Sequence, residues 1–156
     1  SEATLDAILT ASNGDMRKAV TFLQSSHQLS GGQSTIAPET VIDISGQVPA
    51  HVLDKLWETM SNNSFDALRV TVTDIMYEGY ALAAILSQLH DALIGKPSSV
   101  LADIDKALIC EKIAEVDMHL VEGASESLQL LDLTAFIMRR LNASAAEVDA
   151  LTSSTH

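Results

Sequence analysis

Apolar side chains recur at intervals of three and four residues along almost the whole chain, and this periodicity limits the fold more than any other feature. In the clearest segment, residues 82–93 place leucines and isoleucines on one helix face, and Gly95 and Pro97 follow where that helix would stop. No segment alternates apolar and polar residues for long enough to indicate a strand. The pattern therefore predicts an all-α chain built from short amphipathic helices.

Residues that favour helix ends stand at the predicted boundaries. Asp15 and Ser64 are suited to cap the starts of helices, because their side-chain oxygens can accept hydrogen bonds from the first free backbone N–H groups. Pro38 and Pro49 each stand where a first-turn proline belongs. The stretch 30–34 consists of small and polar residues, and we expect it to be a flexible joint between two structural units.

The last strongly periodic helix, about 125 to 141, is apolar around much of its circumference. A helix with more than one apolar face needs more than one neighbour, so it lies either at the centre of a bundle or partly against another subunit. The candidates for a subunit interface are Leu128, Leu131, Phe136, Ile137 and Leu141. We expect residues beyond it to form a frayed tail.

Composition excludes several classes of function. Apolar residues make up 47% of the 156, which is enough for a core, and the formal net charge is −12 with only nine Lys and Arg. Such an acidic chain is poorly suited to hold nucleic acid or an anionic membrane surface. The single cysteine, Cys110, favours a reducing, intracellular environment. The chain starts at Ser1, without an initiator methionine or a signal peptide, so we expect it to be the interior of a longer protein.

Signatures of catalysis and metal binding are weak. The chain has no phosphate-binding glycine loop and no nucleophile elbow. Glu111, Glu115 and His119 share a helix face, but a solvated acidic face is the favoured interpretation of that spacing. His90 and Asp91 are adjacent on a helix and are expected to serve separate surface roles. We predict no catalytic set and no metal site.

Three further residues have two interpretations each. Cys110 is expected to pack rather than to act as a nucleophile, because a neighbouring acid raises the pKa of a thiol. Trp57 is expected to anchor a core or an interface rather than to bind a ligand. Arg17 stands just inside a capped helix start, where its guanidinium could fork onto a phosphate, or could pair with an acid such as Asp15 or Glu2.

Six blocks of sequence, in order along roughly residues 5 to 141, resemble clamp-loader ATPases and in particular the small subunits of eukaryotic replication factor C. The blocks are Gly14–Ala19 with Phe22–Ser25, Ile44–Pro49, Asp74–Tyr80, Gln88–Asp91, Glu111–Asp117 and Gly123–Leu131. The resemblance divides the chain into a partial AAA+ lid (1–30), a hinge (31–36), a helical collar domain that joins subunits (37–141) and a flexible tail (142–156).

The resemblance implies a C-terminal fragment of one subunit of a heteropentamer. In that family the complete subunits use ATP and Mg²⁺ to load a sliding clamp onto primer–template DNA in the nucleus. Arg17 matches the sensor-2 arginine, which reaches toward the nucleotide only in the full-length protein. The fragment itself is expected to bind no cofactor and to have no enzyme activity, and to have no contact with a membrane.

A second hypothesis stays open from the sequence. The chain could be a freestanding helical adaptor or protein-interaction module unrelated to replication. That hypothesis predicts a stable monomer without preference for clamp-loader subunits. A small helical enzyme has no supporting constellation of residues.

Overall fold

The computed structural model describes residues 2–31, 36–98 and 100–153, with side chains to residue 143. Eight α-helices and no strand occupy these residues, which confirms the all-α prediction. The helices are α1 (Glu2–Ser12), α2 (Met16–Leu29), α3 (Pro38–Ser45), α4 (Ala50–Ser61), α5 (Phe65–Tyr77), α6 (Leu82–Ile94), α7 (Asp103–Val121) and α8 (Glu126–Ser153). None of the described helices is long and apolar enough to cross a bilayer.

The helix ends use the residues that the sequence marks for this purpose. The Asp15 carboxylate accepts hydrogen bonds from the backbone N–H groups of Arg17 (2.8 Å) and Lys18 (3.3 Å) and so caps α2. The Ser64 hydroxyl accepts from the N–H of Ala67 at 3.4 Å at the start of α5. Gly46 ends α3 in the left-handed conformation (φ 68°), which glycine adopts without steric cost.

The first compact unit extends to Pro49 and contains α1, α2 and α3. Its core is small: Ile8 of α1, Ala19 of α2 and Val41 of α3 are buried, with only partly buried neighbours around them. The Thr4 hydroxyl donates a 2.7 Å hydrogen bond to the carbonyl of Ile36 and ties the segment before α3 to α1. Leu5 and Leu9, on the same helix as Ile8, are more than half exposed.

The second compact unit starts at Ala50 and contains α4 to α8. The helix α8 packs against α4, α5 and α7, which confirms that it lies at the centre of a bundle. The largest fully buried side chains of this core are Leu56, Met60, Leu68, Leu82, Ile85, Leu89, Leu93, Leu101, Ile109, Leu130, Leu133 and Ile137. The backbone N–H of Leu82 donates to the Glu126 carboxylate at 3.4 Å, so the start of α8 also contacts the start of α6.

Two boundaries differ from the sequence prediction. The compact units separate after Pro49 rather than at 31–36, because α3 buries Val41 against α1 and α2 instead of joining the later helices. Residues 32–35 of the predicted hinge lie outside the described residues. The helix predicted to end near 141 continues to Ser153, since no glycine or proline interrupts it. The last residues of the predicted tail, 154–156, also lie outside the described part.

Candidate protein-interaction surface

The helix α8 has a buried face and an outward face, and the predicted interface residues are divided between them. Ile137 is 1% exposed and shares the buried face with Leu130 and Leu133, which lie seven and four residues before it. It therefore belongs to the core of the chain and is not available to another subunit in this structure. Leu128, in contrast, is 65% exposed.

The other three predicted interface residues are half-buried. Leu131 lies on the side of α8 that faces α5, where it lines a groove between the two helices. Phe136 is flanked by two cations, with the guanidinium carbons of Arg139 and Arg140 at 5.8 and 5.2 Å from its ring centre. Leu141 is half-buried near the end of the described side chains.

A groove lies between α5 and α8 of the second unit and is lined mainly by apolar surface. Its volume is about 480 Å³, and we call it the α5–α8 groove. The lining residues are Arg69, Val72, Thr73, Met76, Tyr77, Ser127, Leu128 and Leu131. Tyr77 and Leu128 stand at its edges with 87% and 65% of their surfaces exposed. Exposed apolar side chains around a concave apolar floor are typical of a surface that binds another protein.

The contribution of α5 to this groove was not predicted from the sequence. Arg69, Thr73 and Tyr77 recur every four residues and form a second stripe on α5, beside the buried stripe that contains Leu68 and Val72. The signal that could have found it is Tyr77, a large side chain out of phase with the buried stripe.

An ion-pair cluster fixes α7 against α8 beside this surface. The Lys112 ammonium contacts the carboxylates of Asp132 on α8 (2.8 Å) and Glu115 on its own helix (2.9 Å). The hydrogen bonds to Asp132 and then to Glu115 raise the pKa of Lys112, and they outweigh the opposing effect of partial burial. The Lys112–Asp132 pair links α7 to α8, and Lys112 stays protonated to a higher pH than a lysine in water.

Arg17 lies in the first turn of α2, and its side chain is exposed. The Asp15 carboxylate is occupied by backbone N–H groups, and among the described residues no ion pair joins Arg17 to Asp15 or Glu2. The guanidinium is therefore available at the start of a helix, where the backbone contributes a partial positive charge. This arrangement suits contact with an anionic group.

The residues considered for metal binding or acid–base chemistry have other partners. Glu115 contacts Lys112, and the Nδ1 atom of His119 lies 3.3 Å from the amide oxygen of Gln129 on α8. Glu111 is exposed, and the described residues hold no group of three or more potential metal ligands. His90 and Asp91 do meet, with Nδ1 and Oδ1 3.4 Å apart on the surface, although adjacent helical residues were predicted not to face each other.

Cys110 and Trp57 have mainly packing environments. Cys110 is half-buried and lines a hollow between α6 and α7 of about 330 Å³, together with His90 and Asp117. Trp57 is half-buried, with the Lys96 ammonium 5.0 Å from its ring centre. Its indole Nε1 is buried without a hydrogen-bond partner.

Comparison with known proteins places the second unit in one family. The family model described as "Replication factor C C-terminal domain" matches residues 48–135. Human replication factor C subunit 4 is 41% identical over 135 residues, which are 86% of this chain and 36% of the human protein. The Arabidopsis thaliana protein of the same name is 40% identical over 131 residues (84% and 38%). The archaeal replication factor C small subunit of Methanoculleus marisnigri is 30% identical over 138 residues (86% and 40%).

Proposed function

The chain belongs to the replication factor C family, and we propose that its second unit is the collar that joins one clamp-loader subunit to its neighbours. The family match covers residues 48–135 and the second unit begins at Ala50, so the match starts where this bundle starts and ends within α8. This membership favours the assembly hypothesis over the freestanding adaptor. The chain spans 36–40% of the length of the three relatives described above. The activity of the complete protein is therefore a proposal that rests on the family.

The observation that carries the proposal is the exposed apolar surface along α5 and α8. A bundle that buries twelve large side chains completely still leaves Leu128 and Tyr77 largely in water beside a concave groove. Exposure of this kind disfavours a monomer and favours a stable subunit contact. Leu131, Phe136 and Leu141 are half-buried and are positioned to extend the contact along α8, whereas Ile137 supports it from the core.

We propose that the complete protein takes part in ATP-dependent loading of a sliding clamp onto primer–template DNA in the nucleus. The other replication factor C subunits would be its direct partners, and the clamp and DNA would be reached through the assembled complex. The charge of −12 supports a division in which this region joins subunits and other parts hold the nucleic acid.

Among the described residues, one group of this chain, the Arg17 guanidinium, is suited to contact a bound nucleotide. The exposed Arg17 guanidinium, at the capped start of α2, could stabilise the charge on the terminal phosphates of a nucleotide, as a sensor-2 arginine does. The phosphate loop and the metal-binding carboxylates would come from outside this chain. The first unit would accordingly be part of the lid, and no step of hydrolysis is assigned to its residues.

Co-expression tests the assembly proposal. The tagged chain should co-purify with the other small subunits of its clamp loader, and should retain neither ATP nor the clamp when they are absent. No association under conditions in which the complete subunit assembles would contradict the proposal. The adaptor hypothesis predicts that result.

The role of Arg17 has a separate test in the complete complex. Arg17→Ala should slow ATP-dependent clamp loading by about tenfold or more, because a charge-assisted contact to phosphate is lost, while assembly is unchanged. Lys18→Ala, which removes a neighbouring exposed cation, is the matched control. Loss of assembly in Arg17→Ala would assign the residue a structural role instead.

A further inference from the structure

The α5–α8 groove contains a single charged side chain among its eight lining residues. Arg69 projects from the exposed face of α5, and the other lining side chains are apolar, hydroxylic or phenolic. Its carbonyl is engaged in the helix, where it accepts the hydroxyl of Thr73 at 2.7 Å. The guanidinium, in contrast, forms no ion pair with any acid in the described part of the chain.

Three acids on α5 and α8, the two helices that form the groove, do not pair with Arg69. Asp74 on α5 pairs with Lys55 at 3.6 Å, and Asp132 on α8 pairs with Lys112 at 2.8 Å. Asp66 lies one turn before Arg69 but is not within ion-pair distance of it. Arg69 therefore depends on water for solvation in the isolated chain, and would lose that water when a partner covers the groove.

Covering an unpaired guanidinium is costly, unless the partner supplies an anion. We propose that a neighbouring subunit lays an amphipathic helix into the α5–α8 groove and pairs an Asp or Glu carboxylate with Arg69. Apolar side chains of that helix would contact Val72, Met76 and Leu131, and the bidentate Arg–carboxylate pair would fix its position along the groove. This inference rests on the proposed function and identifies the chemistry of the partner.

A second copy of this chain fits the groove less well than a different subunit. A twofold contact would bring the two Arg69 side chains to equivalent places in the same interface, and the groove lining offers no carboxylate to either. Two chains of net charge −12 also repel each other over the Debye length. Arg69 consequently favours a neighbour that differs from this chain and carries an acid at the matching position.

Affinity measurements with Arg69 variants test the inference. The chain is immobilised and each of the other small subunits is titrated over it at low and at high salt. For the neighbour that occupies the groove, Arg69→Glu should weaken binding by about tenfold or more and Arg69→Gln by about threefold to fivefold. The salt dependence of binding should also decrease in Arg69→Gln, since one ion pair is missing. Lys55→Glu makes the same charge change at an exposed pair outside the groove and should alter affinity by less than about twofold.

The outcomes separate this inference from the proposed function. If Leu128→Asp abolishes binding while Arg69→Glu matches Lys55→Glu, the groove is an interface but the carboxylate pairing is wrong. If the unmodified chain binds none of the subunits, both the assembly function and the pairing are overturned. Restoration of Arg69→Glu binding by an Asp or Glu to Lys change in the neighbour's helix would identify the partner residue. Unchanged thermal unfolding of each variant ensures that affinity, rather than folding, is compared.

Discussion

The two units of this chain differ in how completely each covers its own apolar side chains. In the second unit, the inner face of α8 packs against α4, α5 and α7, and its large core residues are fully buried. In the first unit, the buried apolar cluster of the three short helices consists of Ile8, Ala19 and Val41, while larger side chains remain exposed. Those exposed side chains are Leu5, Leu9, Met16, Val20, Leu23 and Leu29.

The two units therefore expose apolar surface of two different kinds. The first unit is short of core and is expected to gain stability only when further protein covers α1 and α2, because stability rises with the apolar area removed from water. The second unit is complete inside, and its exposed apolar groove lies on a formed scaffold. On the proposed function, covering the first surface would stabilise the fold, whereas covering the second would join subunits.

The largest effect is expected from the core of the second unit. Leu133→Ala removes a fully buried side chain of α8 and should lower the free energy of unfolding of that unit by about 3 kcal/mol. Urea unfolding monitored by Trp57, the only tryptophan, reports on this unit. Leu128→Ala on the same helix is the control, and should cost less than about 0.5 kcal/mol because Leu128 is mostly in water. Equal losses for both variants would show that α8 is not packed as described.

A smaller effect is expected from the cap of α2 in the first unit. Asp15→Ala removes two hydrogen bonds to the helix start and should cost about 1 kcal/mol. Because the core of this unit is small, the loss should appear as faster hydrogen exchange across α1 to α3, while α4 to α8 exchange as before. Asp15→Asn, which keeps a capping oxygen, should stay close to the unmodified chain. Equally faster hydrogen exchange in α1 to α3 and in α4 to α8 would contradict the prediction that the loss is confined to the first unit.

The Lys112 cluster gives a pH-dependent test of the second unit. The pKa of Lys112 is raised in the folded chain from its usual value of 10.5, so its contribution to stability is fully present below pH 10.5. The contribution is lost as the pH rises through the folded pKa, because the deprotonated amine no longer attracts Asp132 and Glu115. Lys112→Met should lower the free energy of unfolding at neutral pH by less than about 1 kcal/mol, since both carboxylates are partly solvated.

Lys55→Met supplies the comparison for Lys112. Both members of the Lys55–Asp74 pair are more than half exposed, so its removal should have no measurable effect on unfolding. Thermal melts of the two variants across the alkaline range should diverge only below the folded pKa of Lys112. Identical melting temperatures for Lys112→Met and the unmodified chain at neutral pH would show that the Lys112 cluster does not stabilise the second unit.

The smallest effect on folding is expected on the open face of the first unit. Leu9 is 59% exposed on α1, so Leu9→Glu should change the free energy of unfolding by less than about 0.5 kcal/mol. The substitution should nevertheless reduce self-association at high concentration, because it interrupts an exposed apolar surface. Sedimentation velocity measures this. A large loss of stability would show that α1 is more completely packed than described.

Helix positions could be predicted from the sequence because their signals are local. Apolar spacing located the helices, and capping residues such as Asp15 and Ser64 marked their starts. The end of α8 was missed because nothing at Leu141 breaks a helix. Periodicity identifies the face of a helix that becomes buried, but not the helix that covers it. Val41 could therefore have packed on either unit, and in the structure it packs with Ile8 and Ala19 in the first one.

The exposed apolar surface of α8 was harder to predict for the same reason. Around α8, Leu128 and Ile137 are equally apolar, and only the packing of α4, α5 and α7 decides that one is exposed and the other buried. The contribution of α5 to the α5–α8 groove could not be predicted from the sequence, for a different reason. A groove is formed by two elements distant in sequence, and the spacing on either helix does not record that they are neighbours.

Binding to the other clamp-loader subunits, measured for matched surface variants, tests most directly whether the α5–α8 groove is the assembly surface. Tyr77→Asp and Leu128→Asp each place a charge on the edge of the groove, and Val121→Asp places one on a side chain of matched exposure at the end of α7 (86% against 87% for Tyr77). We predict that the two groove variants lose association by about a hundredfold or more with unchanged melting temperatures, while Val121→Asp binds normally. Normal binding by both groove variants would contradict the account.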